Sequence, residues 1–166
     1  MSRTAQEIFE SYVYAGAVSR DADALAAHFT VDGVFEAPLM PDGAAFPRRL
    51  VGREEIRSGM AAYYERQARE NRANRAPNLS KSGYVLHTTS DPEVFIAEID
   101  TVFDGEETVF DGEGTVFGGE GTVFDGEGTV FGGAGGDVTV SLVQIFRVRD
   151  GKIARLRDYF APELMS

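Results

Sequence analysis

The stretch VSLVQIFRVRDGKIARLRDYFAP, residues 140–162, decides how this chain folds. Two runs of strand-forming residues, Val138–Arg149 and 152–160, meet within it at the turn Arg149-Asp150-Gly151. An Asp-Gly pair between such runs is a strong hairpin signal. Side chains alternate between the faces of a strand. In the first run Leu142, Gln144, Phe146 and Val148 therefore share one face. In the second, Ala154, Leu156, Asp158 and Phe160 oppose Arg155, Arg157 and Tyr159. The apolar set must face the interior, which brings Gln144 and Asp158 inside with it. A carboxylate among hydrophobic neighbours is costly unless it is satisfied or functional. A nearby arginine or a backbone amide is the structural alternative to chemistry.

Working back from that hairpin, residues 84–89 and Val94–Phe103 read as further strands. The N-terminal half is helical. In TAQEIFESYVYAGAVSRD, Ile8 and Tyr12 lie four apart, as do Phe9, Val13 and Ala17, and Thr4 with Glu7 forms a capping box. DADALAAHF gives a second short helix. TVDGVFEAP follows, with a turn at Asp32-Gly33 and a short strand ended by Pro38. Residues 39–51 read as a loop, and residues 52–72 as the longest helix. Helices first and hairpin-linked strands later predict an α+β domain, an antiparallel sheet covered by helices on one face. At 166 residues and 43% hydrophobic content the chain is one domain with a real core.

Residues 101–136 are unlike the rest. They read TVFDGEE, TVFDGEG, TVFGGEG, TVFDGEG and TVFGGAG, five near-identical heptads. Glycine at 12 of these 36 positions excludes a helix, and the unit is too short for the common solenoids. Thr-Val-Phe is a good strand triplet. The repeat sits at the tip of a pair formed by FIAEIDTVF and DVTVSLVQIF. Kept in register, the turn falls near residues 118–121 and each arm gains about 14 residues, roughly 45 Å. The expectation is either a long protruding hairpin or a disordered acidic loop. Its role is a tolerated duplication, calcium binding through hard oxygen ligands, or self-association. Calcium-loaded β-rolls use a GGxGxD spacing that the heptad lacks.

The net charge of −11 is concentrated in this window, which holds eight acidic residues and no Lys or Arg. Taking those eight from the chain's 27 leaves 19 acids against 16 bases. An acidic chain with a balanced body argues against nucleic-acid binding. The basic run Arg66, Arg69, Arg72, Arg75 reads as a solvated helix stripe. Cysteine is absent, which excludes disulfides and thiolate chemistry. With two histidines no metal-ligand spacing is visible. No apolar run approaches the roughly 20 residues of a membrane span, and no secretory signal is evident. A cytoplasmic protein is expected.

Several stretches together resemble the nuclear transport factor 2-like superfamily, in particular its SnoaL-like and phenazine-biosynthesis PhzA/PhzB-like branch. They are Tyr12 on a helix running into SRDADALAAHFTVDGVFEAP, then GREEIRSGM, SDPEVFIAEID and VSLVQIFRVRDGKIARLRDYFAP. The heptads depart from that pattern. The resemblance implies a cone-shaped, cystatin-like α+β barrel, its strongly bent antiparallel sheet closed by three N-terminal helices around a pocket. Relatives include isomerases, cyclases, dehydratases and pure binding modules, so fold alone does not choose among them.

It further implies that Asp158 occupies an acid/base position. Gln144 stands where ketosteroid isomerases place an acidic donor, and Tyr12 where they place an oxyanion tyrosine; Tyr14 or Tyr63 can substitute for it. The isomerase base position falls on Ala37, with Glu36 beside it on the opposite face, which argues against steroid-type isomerisation. His87, on one face of its strand with Val85, is a further candidate. His28 is expected to pack against the core. Phe35, Tyr63, Leu142, Phe146 and Leu156 are expected to line the ligand site. The expected function is a cofactor-independent isomerase, cyclase or dehydratase acting on a hydrophobic secondary metabolite. A non-catalytic ligand-binding module and a repeat-driven self-association protein are the alternatives. The resemblance also implies a homodimer through the outer face of the sheet.

Overall fold

The computed structural model describes residues 3–70, 77–105 and 136–161, with the backbone of residues 109–110 and 116–117. Helix α1, Ala5–Val13, starts as its capping box requires: Glu7 N–H donates to the Thr4 hydroxyl at 3.2 Å, and Thr4 N–H donates to the Glu7 carboxylate at 2.7 Å. It runs on into a π-helical turn, Tyr14–Val18, and α2 follows at Ala22–Ala27, capped by Asp21. Strand β1 is Phe29–Glu36, β2 is Arg49–Val51, and α3 is Arg53–Arg69. Gly52 opens α3 at φ +92°, a backbone region that favours glycine. Then come β3, Gly83–Thr88, and β4, Val94–Phe103; β5, Val109–Phe110, and β6, Val116–Phe117; β7, Val138–Arg149, and β8, Lys152–Tyr159.

Six strands form one curled, unclosed sheet in the order β2-β1-β8-β7-β4-β3. Four of its pairings are antiparallel, but β1 and β8 run parallel. Parallel neighbours need a long crossover, and here nearly the whole chain supplies it. The three helices cover one face. The row Phe35, Leu156, Phe146 and Phe95, registered across four strands, lies at the centre of the core. Phe95 stacks on Phe146 at 4.7 Å, and Phe9 and Tyr12 from α1 meet Phe146 edge-on at 6.0 and 5.7 Å. Burying one such ring contributes about 2–3 kcal/mol.

Two stretches depart from the sequence reading. Residues 39–51 contain β2, and the loop before it is part of the core. Met40 and Phe46 are buried, and Phe46 packs on Phe35, Tyr63 and Phe160. Asp32-Gly33 makes no chain reversal. β1 runs through it with a register shift between Phe29 and Val34, a bulge instead of a turn.

The outer face of the sheet is charged. Glu36 pairs with Arg155, Arg157 and Arg49. Burial alone would raise its pKa; the Arg155 hydrogen bond and the three guanidinium charges overcome that and hold it low. On α3, Arg66 pairs with Glu70 and Arg69 with Glu65, an exposed stripe as expected, while residues 72 and 75 lie outside the described residues.

At the base of the heptads Lys81 bridges Asp104 at 2.9 Å and Asp137 at 2.8 Å. β5 and β6 pair with each other in a separate two-stranded sheet, Val109 opposite Phe117, so they join neighbouring copies. The expected tip at residues 118–121 and the fully extended arms lie outside the described residues.

Candidate functional site

The site is built on the closing hairpin. Asp150 and Gly151 both take left-handed φ, 53° and 75°, as a tight hairpin turn of the primed type requires. The two strands then run in register with one irregularity: Arg147 faces Arg155, but Val148 faces Ile153, so Ala154 is an extra residue. This bulge puts Ile153, not Ala154, in the core. Beyond it the alternation holds. Leu156, Asp158 and Phe160 are all buried, while Arg155, Arg157 and Tyr159 face the other side.

Register places Gln144 directly opposite Asp158, with Ala97 of β4 next in the row. Both polar side chains are more than nine-tenths buried, Gln144 at 7% and Asp158 at 8% exposure. Gln144 Nε2 donates to Asp158 Oδ2 at 3.0 Å. The other oxygen of each, Asp158 Oδ1 and Gln144 Oε1, is buried without a partner. Burial drives the Asp158 pKa up to about 7, with the Gln144 hydrogen bond opposing it. This carboxyl therefore changes protonation near neutrality, which suits an acid or base.

Tyr12 reaches the same interior from α1, its ring edge-on to Phe29 and Phe146. Burial raises its phenol pKa well above the ordinary value, and the charge of Asp158 adds to that. It stays protonated and can only donate or accept as a neutral phenol. Of the expected lining residues, Phe35, Phe146 and Leu156 are fully buried, and Tyr63 is buried with its hydroxyl accepting from Gln67 at 2.8 Å. Leu142 is partly buried against the core.

His87 does not belong to this group. It lies on β3 opposite Ile96, and its ring nitrogen is 2.7 Å from the Glu98 carboxylate, half exposed. Leu86, the residue before it, carries the contact with the core. Strand parity therefore turns His87 to the opposite face from Gln144 and Asp158, which removes it from the site. Tyr14 is also no substitute for Tyr12, because it points outward at 64% exposure. His28 caps α2 with Nδ1 at 2.7 Å from the Ala24 carbonyl oxygen, partly buried, and burial lowers its pKa. An open hollow of about 600 Å³ between α1 and α2, lined by Glu10, Tyr14, Asp21 and His28 among others, includes neither Asp158 nor Gln144.

Sequence reading left Phe46 and Met40 out of the core and did not count Phe160 among the lining residues. Phe160 was on the inward face by parity. The other two lie in a stretch without periodicity, so no pattern could assign them. Among the described residues no cluster of His, Asp and Glu is arranged to hold a metal, and no helix is long and apolar enough to cross a membrane.

No family model matches the sequence, and no curated protein matches it significantly. Solved structures do match in shape. A candidate isomerase from Bacillus subtilis superposes with TM-score 0.58 at 21% identity, covering 96% of this chain and 88% of its own. A candidate polyketide cyclase from Pseudomonas putida gives 0.53 at 19%, covering 96% and 92%. A phenazine biosynthesis-related protein from Pseudomonas aeruginosa gives 0.52 at 16%, covering 93% and 77%. At such identities the likeness is one of fold, and the fold is the one the nuclear transport factor 2-like, SnoaL-like and ketosteroid isomerase-like proteins share.

Proposed function

We propose that this protein is a small-molecule enzyme that works by general acid/base chemistry, an isomerase, cyclase or dehydratase for a hydrophobic secondary metabolite. Asp158 is the acid/base, Gln144 its hydrogen-bond partner, and Tyr12 a neutral phenol beside them. The observation that carries the reading is the Asp158 carboxyl itself, buried in the inner row of the sheet opposite Gln144, with a pKa of about 7 and one oxygen unpartnered. The chemistry asks nothing more than a proton shuttle and a donor for the developing oxyanion. Among the similar structures are a candidate isomerase, a candidate polyketide cyclase and a phenazine biosynthesis-related protein, which agrees with a small-molecule role.

A model ketone tests this. Exchange of the α-hydrogens of 2-tetralone for deuterium, followed by NMR, reports proton abstraction next to a carbonyl. The expected result is catalysed exchange by the native chain and a fall of about 10²–10⁴-fold in Asp158→Asn. Exchange that survives the substitution overturns the assignment, and binding of the ketone without exchange favours a non-catalytic ligand carrier. A homodimer through the outer sheet face belongs to the same reading. Sedimentation of the full chain should give twice the 18.0 kDa of one copy.

A further inference from the structure

The two unpartnered atoms at the Asp158–Gln144 pair carry information about the ligand. More than nine in ten buried polar groups have a partner, and leaving one without costs about 1–3 kcal/mol. Here two adjacent side chains each leave one oxygen unmet in the same buried row. Among the described residues the buried side chains that carry polar groups are Thr30, Gln144, Asp158 and the phenols of Tyr12 and Tyr63, and no cation is among them. A charged carboxylate or phosphate would enter with no counter-charge, at a cost of several kcal/mol.

The hydrogen-bonding capacity left over can be counted. With Asp158 protonated, Gln144 Nε2 donates to Oδ2, the carboxyl proton on Oδ1 is a free donor, and Gln144 Oε1 is a free acceptor. Turning the amide over changes which side chain plays which part: Asp158 then donates to Oε1, leaving the amide N–H as donor and Oδ1 as acceptor. Either way the pair offers at least one donor and one acceptor side by side, the amide's second N–H being a further donor. A ligand that satisfies both must present an acceptor and a donor on neighbouring atoms. Ala97 lies next to Gln144 in the row, and Tyr12 brings its phenol to the same interior.

We propose that the ligand is an uncharged hydroxy-carbonyl compound, its carbonyl oxygen and hydroxyl on neighbouring carbons spanning Asp158 and Gln144. This rests on the reading of Asp158 and Gln144 as the ligand site, and it adds the class of molecule that fits there.

Three probes decide it: 2-hydroxy-1-phenylethanone, its methyl ether, which lacks the donor, and mandelate, which replaces the ketone by a carboxylate. Their affinities for the full chain are read by ligand-observed NMR titration. The hydroxyketone is expected to bind at least tenfold tighter than either. Gln144→Met should shrink its advantage over the methyl ether to less than threefold. Asp158→Asn should keep the advantage, because an amide also offers a donor and an acceptor. Equal affinities, a preference for mandelate, or no measurable binding of the hydroxyketone overturns the proposal, and the native chain alone decides should Gln144→Met fail to fold. The 2-tetralone experiment separates the two readings. Exchange retained in Asp158→Asn together with the hydroxyketone preference sinks the acid/base role and leaves the ligand class standing. Exchange lost in Asp158→Asn, with no such preference in the native chain, does the reverse.

Discussion

Asp158 binds a proton near neutrality in the folded chain, whereas in the unfolded chain it releases that proton near pH 4. Between those values the folded state holds more protons, so the contribution of this group to stability is fully present below about pH 4 and is lost as pH rises to about 7. At about 1.4 kcal/mol for each unit of pKa difference, the loss is about 4 kcal/mol at most. Asp158→Asn removes this loss. Its melting temperature should therefore exceed that of the native chain at pH 8, with the two converging at pH 4, as followed by circular dichroism. A second consequence concerns rate. Serving as a base, Asp158 gives exchange that rises through a midpoint near pH 7. Since the Gln144 hydrogen bond lowers that pKa, Gln144→Met should move the midpoint upward in a pH–rate profile. An unchanged midpoint would mean that Gln144 does not touch the reacting carboxyl.

At the scale of elements, one dipeptide occurs twice with two outcomes. Asp150-Gly151 takes the left-handed conformation and reverses the chain. Asp32-Gly33 takes no such conformation and lies within β1, because β2 and β8 both pair with the residues on its far side. Gly33 is there for space. A Cβ at this position would come within 3.0 Å of the Phe29 Cβ and the Thr30 carbonyl oxygen. Gly33→Ala should therefore destabilise by about 1–3 kcal/mol, as overpacking does. Gly83→Ala on the exposed edge strand, where nothing lies within 4 Å, should stay within about 0.5 kcal/mol of the native chain. Urea melts of both variants make the comparison. The helix starts, the capping box and strands β4, β7 and β8 were legible, since period and turn chemistry are local. The bulge at Ala154, which brings Ile153 into the core, was not; it answers to the register with Arg147 and Val148.

At the scale of the molecule, the heptads are set into the fold where it needs only a turn. The β4–β7 ladder reaches Phe103 opposite Val138, and Lys81 holds Asp104 and Asp137 together at its end. Deleting residues 106–135 would join Gly105 to Gly136. That leaves a Gly-Gly pair between the two aspartates, a sequence suited to a two-residue hairpin turn. Loop-closure entropy varies slowly with length, so the shortened chain should keep its fold, melt within a few degrees of the native one and retain 2-tetralone exchange. Loss of folding on this deletion would show that the heptads contribute to the core.

By itself the sequence determined the three helices, the strands β3, β4, β7 and β8, and the inward face of the last hairpin beyond its bulge, hence the burial of Asp158 and Gln144. Each of these follows from a period or a turn within a few residues of chain. The tertiary structure alone decided the parallel β1–β8 pair, the entry of Met40 and Phe46 into the core, and the exclusion of His87. Alternation divides a strand into two faces, but it does not say which face an edge strand such as β3 turns toward the helices. That choice is made by Phe9, whose ring packs at 4.6 Å on Tyr84 and so sends His87 to the other side.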